Sequence, residues 1–143
     1  MARRQGTLAF FSLVDSGGTV RDLSTYLTSI EGLPGPVDQF DTTGLGSWAK
    51  TYIAGLKDAR VSLRGFFDNV ATSGPDVVFT GLHNPNPPVQ SAFVYSPEGT
   101  GAGTRKFSGN AILADYRLTS PINGPSTFAV ELQKSGDLTI ATN

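Results

Sequence analysis

The 143 residues fall within the size of one domain and suffice to close a single hydrophobic core without help from metal or disulfides. Lys and Arg total 11 against 12 Asp and Glu, and the net charge of −1 disfavours a nucleic-acid binder driven by charge. There is no cysteine, which removes disulfide frameworks and thiolate metal sites, and 38% hydrophobic with 16% charged residues describes a folded chain rather than a disordered one.

In chain order, Arg3 and Arg4 precede a short apolar run, Leu8 to Val14, that lacks the small-residue cleavage pattern of a secretory signal. No stretch approaches the length of a membrane span, so no membrane partner is expected and the chain should stay in the cytosol of the cell that makes it. Leu8 to Val14 reads as a strand, Asp15-Ser16-Gly17-Gly18 as a turn, and Val20 to Ile30 as the returning strand of a first hairpin. Both faces of that second segment mix apolar and polar residues, as in a strand facing an interface.

The next strand is Ala59 to Phe67, with Val61, Leu63 and Gly65 on one side and Arg60, Ser62 and Arg64 on the other. The spacing predicts one short helix over about residues 73–83, with Ser73 and Asp76 at capping-box spacing, Pro75 in its first turn and Val77, Val78, Phe79 and Leu82 as its apolar residues. The Pro-rich run from His83 to Pro88 stops it. Ile112, Ala114, Tyr116 and Leu118 then alternate with Leu113, Asp115 and Arg117. After a Pro121-to-Pro125 turn, Phe128, Val130 and Leu132 alternate with Thr127, Ala129, Glu131 and Gln133. Two long Gly-bearing segments, Thr42 to Asp58 and Pro97 to Thr104, read as loops, and loops of that length tend to be functional or to order against a partner.

Motifs for chemistry are weak. Gly99, Gly101 and Gly103 lead into a strand where a phosphate-binding loop needs a helix, so they read as a hairpin loop. The single His83 lies at a helix end with no G-x-S-x-G elbow nearby, so a hydrolase is disfavoured. Asp38 and Asp41 are the nearest approach to an oxygen-ligand metal set, and no metal or other cofactor is expected. Trp48, in a Gly-rich loop, fits an aromatic anchor against a neighbouring subunit; the competing reading is a sugar-stacking platform of Trp48, Tyr52 and Phe93.

Several segments stand together in order: Arg21-Asp22-Leu23-Ser24 leading into Tyr26-Leu27-Thr28-Ser29, Leu33-Pro34-Gly35, Asp41-Thr42-Thr43-Gly44, Gly55-Leu56-Lys57-Asp58-Ala59 and Gly65-Phe66-Phe67-Asp68. Phe107-Ser108-Gly109, Ser120-Pro121, Gly124-Pro125 and Ser135-Gly136-Asp137-Leu138-Thr139 complete the set. In order and spacing over nearly the whole chain, these segments resemble the major tail tube proteins of long-tailed, siphovirus-type bacteriophages. The resemblance implies a mainly β fold, a β-sandwich or half-open barrel with one flanking helix. It also implies a single tail tube domain over residues 1–143, with an assembly loop at about 42–58; the expected departure is the lack of the appended immunoglobulin-like domain that some family members display.

It further implies a non-catalytic virion protein, made in the host cytoplasm, whose copies close into hexameric rings that stack into a tube. Partners implied are other copies of the chain, a tape-measure protein, a tail terminator and distal tail proteins, with DNA passing through the lumen without tight binding. Within the loop, Leu45, Trp48, Tyr52 and Ile53 are the candidates for burial between subunits, and Asp38, Asp41, Asp115 and Glu131 for acidic groups facing the lumen. Removal of Met1 to Gly6 is expected to weaken stacking more than folding. Alternatives are a capsid-decorating or head-tail connector protein, a carbohydrate-binding β-sandwich, and the tube of a contractile injection system.

Overall fold

The structure, a computed structural model, describes residues 9–143 apart from Val70, Thr72, Ser73, Asn86 and Pro88. Met1 to Gly6 and the expected cap Ser73 lie outside the described residues. Among the described residues, punctuated alternation yields nine strands: β1 (Phe10–Val14), β2 (Val20–Asp22), β3 (Leu27–Glu31), β4 (Val37–Asp41), β5 (Tyr52–Lys57), β6 (Arg60–Phe66), β7 (Gln90–Ser96), β8 (Arg105–Thr119) and β9 (Thr127–Thr142). One helix, α1 (Pro75–His83), separates β6 from β7. Seven strands form one antiparallel sheet in the order β2-β1-β7-β8-β9-β6-β3, curled into a half-open barrel; β4 and β5 form a separate two-stranded ribbon.

The first hairpin forms as expected, with Asp15 closing its turn through its carboxylate. The returning segment is not one strand, however. Leu23 turns into the core, the chain bends through Ser24 to Tyr26, and β3 crosses to pair with β6. The bend joins the two ends of the sheet: the Phe11 amide bonds the Ser24 hydroxyl at 2.9 Å, and the Leu23 amide bonds the Phe11 carbonyl at 3.0 Å. Asp22 holds Ser24 in turn, accepting from its hydroxyl at 2.6 Å.

The helix begins at Pro75, with Gly74 rather than Ser73 as its N-cap and no side-chain cap. Proline suits this first position, because an amide there has no partner inside the helix. Asp76, expected in a capping box, directs its carboxylate to Tyr116 instead. Pro75, Val78, Phe79 and Leu82 are buried against the sheet.

The strand Arg60–Phe66 buries Val61, Leu63 and Gly65, and β9 buries Phe128, Val130 and Leu132, as their alternation predicts. With Phe11, Leu13, Phe93, Leu113 and the helix they form one core. Each such Leu or Phe side chain removed from water contributes about 1.5–3 kcal/mol. In β8 the expected alternation breaks at a β-bulge between Leu113 and Asp115. Before it Leu113 points inward and Ile112 outward; after it Tyr116 packs on the core and Asp115 joins the outer face, because one extra residue reverses every later side chain.

Candidate assembly surfaces

The segment expected as a loop over Thr42 to Asp58 is largely a projecting arm. β4 and β5 pair antiparallel, Phe40 opposite Ile53 and Asp41 opposite Tyr52, leaving only residues 42–51 as the tip. The neck is closed by the Thr42 amide on the Thr51 carbonyl at 2.8 Å and by the Thr51 amide on the Thr43 hydroxyl at 2.9 Å. At the base, Asp58 accepts from the Gln133 side-chain amide at 2.7 Å and donates its own amide to the Pro36 carbonyl at 3.1 Å. A cleft between this base and the end of β9 is lined by Val37, Leu56, Leu138 and Ile140.

The arm is exposed along nearly its whole length and still carries large apolar groups on both faces. Phe40 and Ile53 sit side by side on one face and Tyr52 on the other, and a bulge in β5 between Ala54 and Lys57 returns Leu56 to the side of Phe40 and Ile53. At the tip Leu45 and Trp48 are fully exposed, at 108% and 103% of their reference areas. A lone two-stranded ribbon is marginal in water, and a dense apolar set exposed on a projection makes it a candidate contact surface. All four apolar candidates of the sequence therefore lie on this arm, with Tyr52 and Ile53 on opposite faces. Phe40 and Leu56 lie on the same arm and are missing from that set; the signal that finds them is a large apolar residue in each of the two short runs, Val-Asp-Gln-Phe-Asp and Tyr-Ile-Ala-Gly-Leu, that flank the Gly-rich tip.

The four acidic candidates divide into two places. Asp38 and Asp41 are three residues apart on β4 and so project to opposite sides of the ribbon. Asp41 is held below the usual carboxylate range by the Thr43 side chain and then by the Thr43 amide, which bonds it at 2.9 Å, so its role is to start the tip turn. Among the described residues no three His, Asp or Glu side chains gather as a metal site. Asp115 and Glu131, by contrast, are direct cross-strand neighbours on the outer face of the sheet. Glu131 accepts from Arg60 at 2.8 Å and Asp115 from Arg117 at 2.9 Å.

Three other sequence readings meet a clear outcome. Phe93 is completely buried and stacks on Phe11 at 6.3 Å, so it cannot share a sugar platform with Trp48 and Tyr52. Gly99, Gly101 and Gly103 connect two strands, β7 and β8, in a loop tied by the Thr104 hydroxyl to the Gly99 carbonyl and by the Gly103 amide to the Asn143 carbonyl. His83 ends the helix, with its side chain exposed in the last turn.

No family model and no curated protein matches the sequence. Solved structures do match. Over 98% of this chain and 100% of the other, the backbone resembles a chain from the C6-symmetric tail of an empty gene transfer agent particle, with a TM-score of 0.75 at 16% identity. It resembles the SPP1 tail tube over 99% of this chain and 80% of that one, with a TM-score of 0.74 at 10% identity. The fold is the tail tube fold. A chain from the sheath-tube complex of an extracellular contractile injection system shares it over 99% of this chain and 93% of that one, with a TM-score of 0.69 at 14% identity. The expected half-open barrel with one flanking helix is thus the architecture formed.

Proposed function

We propose that this chain is a structural tube subunit of a phage-like tail, which binds copies of itself in stacked rings around a central passage. The observation that carries the reading is the arm: a chain with the tail tube fold projects a ribbon with Leu45 and Trp48 fully exposed at its tip and Phe40, Tyr52, Ile53 and Leu56 along its two faces. Such side chains in water favour association, and Trp and Tyr are the residues that dominate interface energetics.

The sheet supports the same reading. Among the described residues no strand pairs with β8 beyond Ile112 on its β7 side, or with β9 beyond Lys134 on its β6 side. Unpaired edges of long strands are hazards unless a partner uses them, and two distinct edges on one subunit suit a head-to-tail contact that closes into a ring. Six copies per ring is the expectation drawn from the C6 symmetry of the gene transfer agent tail. The chain would then act without chemistry of its own, as a virion component through which DNA travels, meeting a tape-measure protein inside and terminator and distal proteins at the ends.

Negative-stain electron microscopy of the purified chain tests this. Annular particles or tubes with a central channel are expected as concentration rises. A species that stays monomeric or trimeric by analytical ultracentrifugation, with no annular form, overturns it and favours a decorating or connector protein.

A further inference from the structure

The outer face of β3, β6, β9 and β8 carries its charge in rows. The strand register sets Glu31, Ser62, Glu131 and Asp115 side by side across the four strands. The next row along is Ser29, Arg64, Ala129 and Arg117, and the row on the other side holds Arg60 beside Gln133. Three carboxylates therefore share the face with three guanidinium groups, and rows of opposite sign lie about 6.8 Å apart, two residues along a strand.

Arg60 and Arg117 are each engaged by one of those carboxylates, at 2.8 Å and 2.9 Å. Arg60 is further held by the Gln133 side-chain oxygen at 3.3 Å, and Gln133 by Asp58 at 2.7 Å. Exposed pairs of this kind add little to folding stability, with a median of about 0–1 kcal/mol, so stability does not account for the arrangement. The β8 bulge is what turns Asp115 outward beside Glu131; without it Ala114 would stand there.

We infer that Glu131 and Asp115 mask Arg60 and Arg117, making this face a charge-compensated surface over which a polyanion moves without being captured. A phosphate and a carboxylate compete for the same fork of guanidinium donors. An arginine already engaged releases few counterions on meeting a phosphate and so adds little affinity, while an equal number of carboxylates avoids the repulsion of a purely acidic wall. That the polyanion is DNA in transit rests on the tube reading; the masking itself does not.

The test uses the full chain, in whatever assembly state it adopts, on heparin-agarose and with fluorescein-labelled duplex DNA by anisotropy. The wild type is expected to pass unretained at about 50 mM salt, a condition under which uncompensated basic faces bind. The double variant Asp115→Asn with Glu131→Gln is expected to be retained. Its log-log salt slope should steepen by about 0.9 for each arginine that reaches a phosphate, close to 2 per chain. Adding Arg60→Gln and Arg117→Gln to that double variant should restore wild-type passage, and unchanged circular dichroism reports that the variants fold. A double variant that passes like the wild type, or a wild type that is itself retained, overturns the inference. A chain that forms no rings yet shows the retention pattern keeps the masking and removes the tube.

Discussion

The Tyr116 hydroxyl donates a hydrogen bond of 2.8 Å to Oδ1 of Asp76, joining a central strand of the sheet to the first turn of the helix. The same ring packs on Phe79 at 5.5 Å and on Phe128 at 6.5 Å, so one side chain fastens the helix by both its apolar and its polar part. Tyr116→Phe keeps the ring and loses the bond. It should lower unfolding free energy by about 1.5–2 kcal/mol, at the low end of the range for a hydrogen bond to a charged acceptor. Tyr116→Ala also loses the packing and should cost about 3 kcal/mol. Urea melts separate the two, and a Tyr116→Phe variant as unstable as Tyr116→Ala would remove the hydrogen bond from the account.

This contact also sets an alkaline limit. Burial pushes the Tyr116 phenol above its ordinary value, and the Asp76 carboxylate, by its hydrogen bond and its charge, pushes it further. A folded-state value above the unfolded one of about 10 means the phenol's contribution is whole below pH 10 and is lost as pH rises further. Tyr95, raised by burial alone, acts with the same sign. Thermal melts should show the wild type losing stability above about pH 10 more steeply than Tyr116→Phe; parallel curves would contradict the assignment.

Asp15 sets the opposite limit. Its carboxylate is held below the usual range mainly by the Thr19 amide, at 2.9 Å, then by the Arg21 guanidinium at 2.8 Å and the Gly17 amide at 3.0 Å, while burial works the other way. A depressed folded value means the contribution is present above the unfolded value of about 3.9 and is lost as pH falls below it. Asp15→Asn should therefore be less stable than the wild type near neutrality and converge on it in acid. The check is a pair of denaturation midpoints measured from neutral to acid pH, and a constant gap across that range would exclude the carboxylate as the cause.

Gly65 gives a purely steric prediction. A Cβ at this position would stand 2.1 Å from the Tyr26 carbonyl oxygen and 2.9 Å from its carbon, both backbone atoms at the start of β3. Since Phe66 bonds that same carbonyl from its amide at 3.0 Å, the strand cannot shift without breaking the contact that seats β3 on β6. Gly65→Ala should cost about 3 kcal/mol, as overpacking against backbone does at the upper end. A loss under 1 kcal/mol in chemical denaturation would show that β3 yields.

Legibility in the sequence followed the physics of each segment. β6 and β9 were readable because one face is buried along their paired length, so alternation and burial coincide. β8 was misread past Leu113 because a bulge adds one residue without any change in composition, and only the partner strand reveals the shift. Val20 to Ile30 looked continuous because Leu23 keeps the apolar rhythm, yet that leucine is buried in the bend that joins the sheet's two ends. β4 and β5 were hidden for another reason: their apolar groups face solvent, so no buried face imposes a period on them.

That last point fixes what the tip should do when altered. Leu45 and Trp48 touch nothing that their removal would leave unsupported, since both are fully exposed, and surface changes of this kind stay within about 0.5 kcal/mol of wild-type stability. The double variant Leu45→Ser with Trp48→Ala should accordingly unfold at the same denaturant midpoint as the wild type. Assembly should respond very differently: loss of one central aromatic anchor costs about 2 kcal/mol or more, which raises the concentration needed for ring or tube formation roughly 30-fold. Sedimentation across a concentration series reads that threshold directly. An unchanged threshold with an unchanged midpoint would mean that the tip is idle and that the ribbon's faces, Phe40 with Ile53 and Leu56 on one and Tyr52 on the other, make the contact; a midpoint that falls with the threshold would mean instead that the tip supports its own chain.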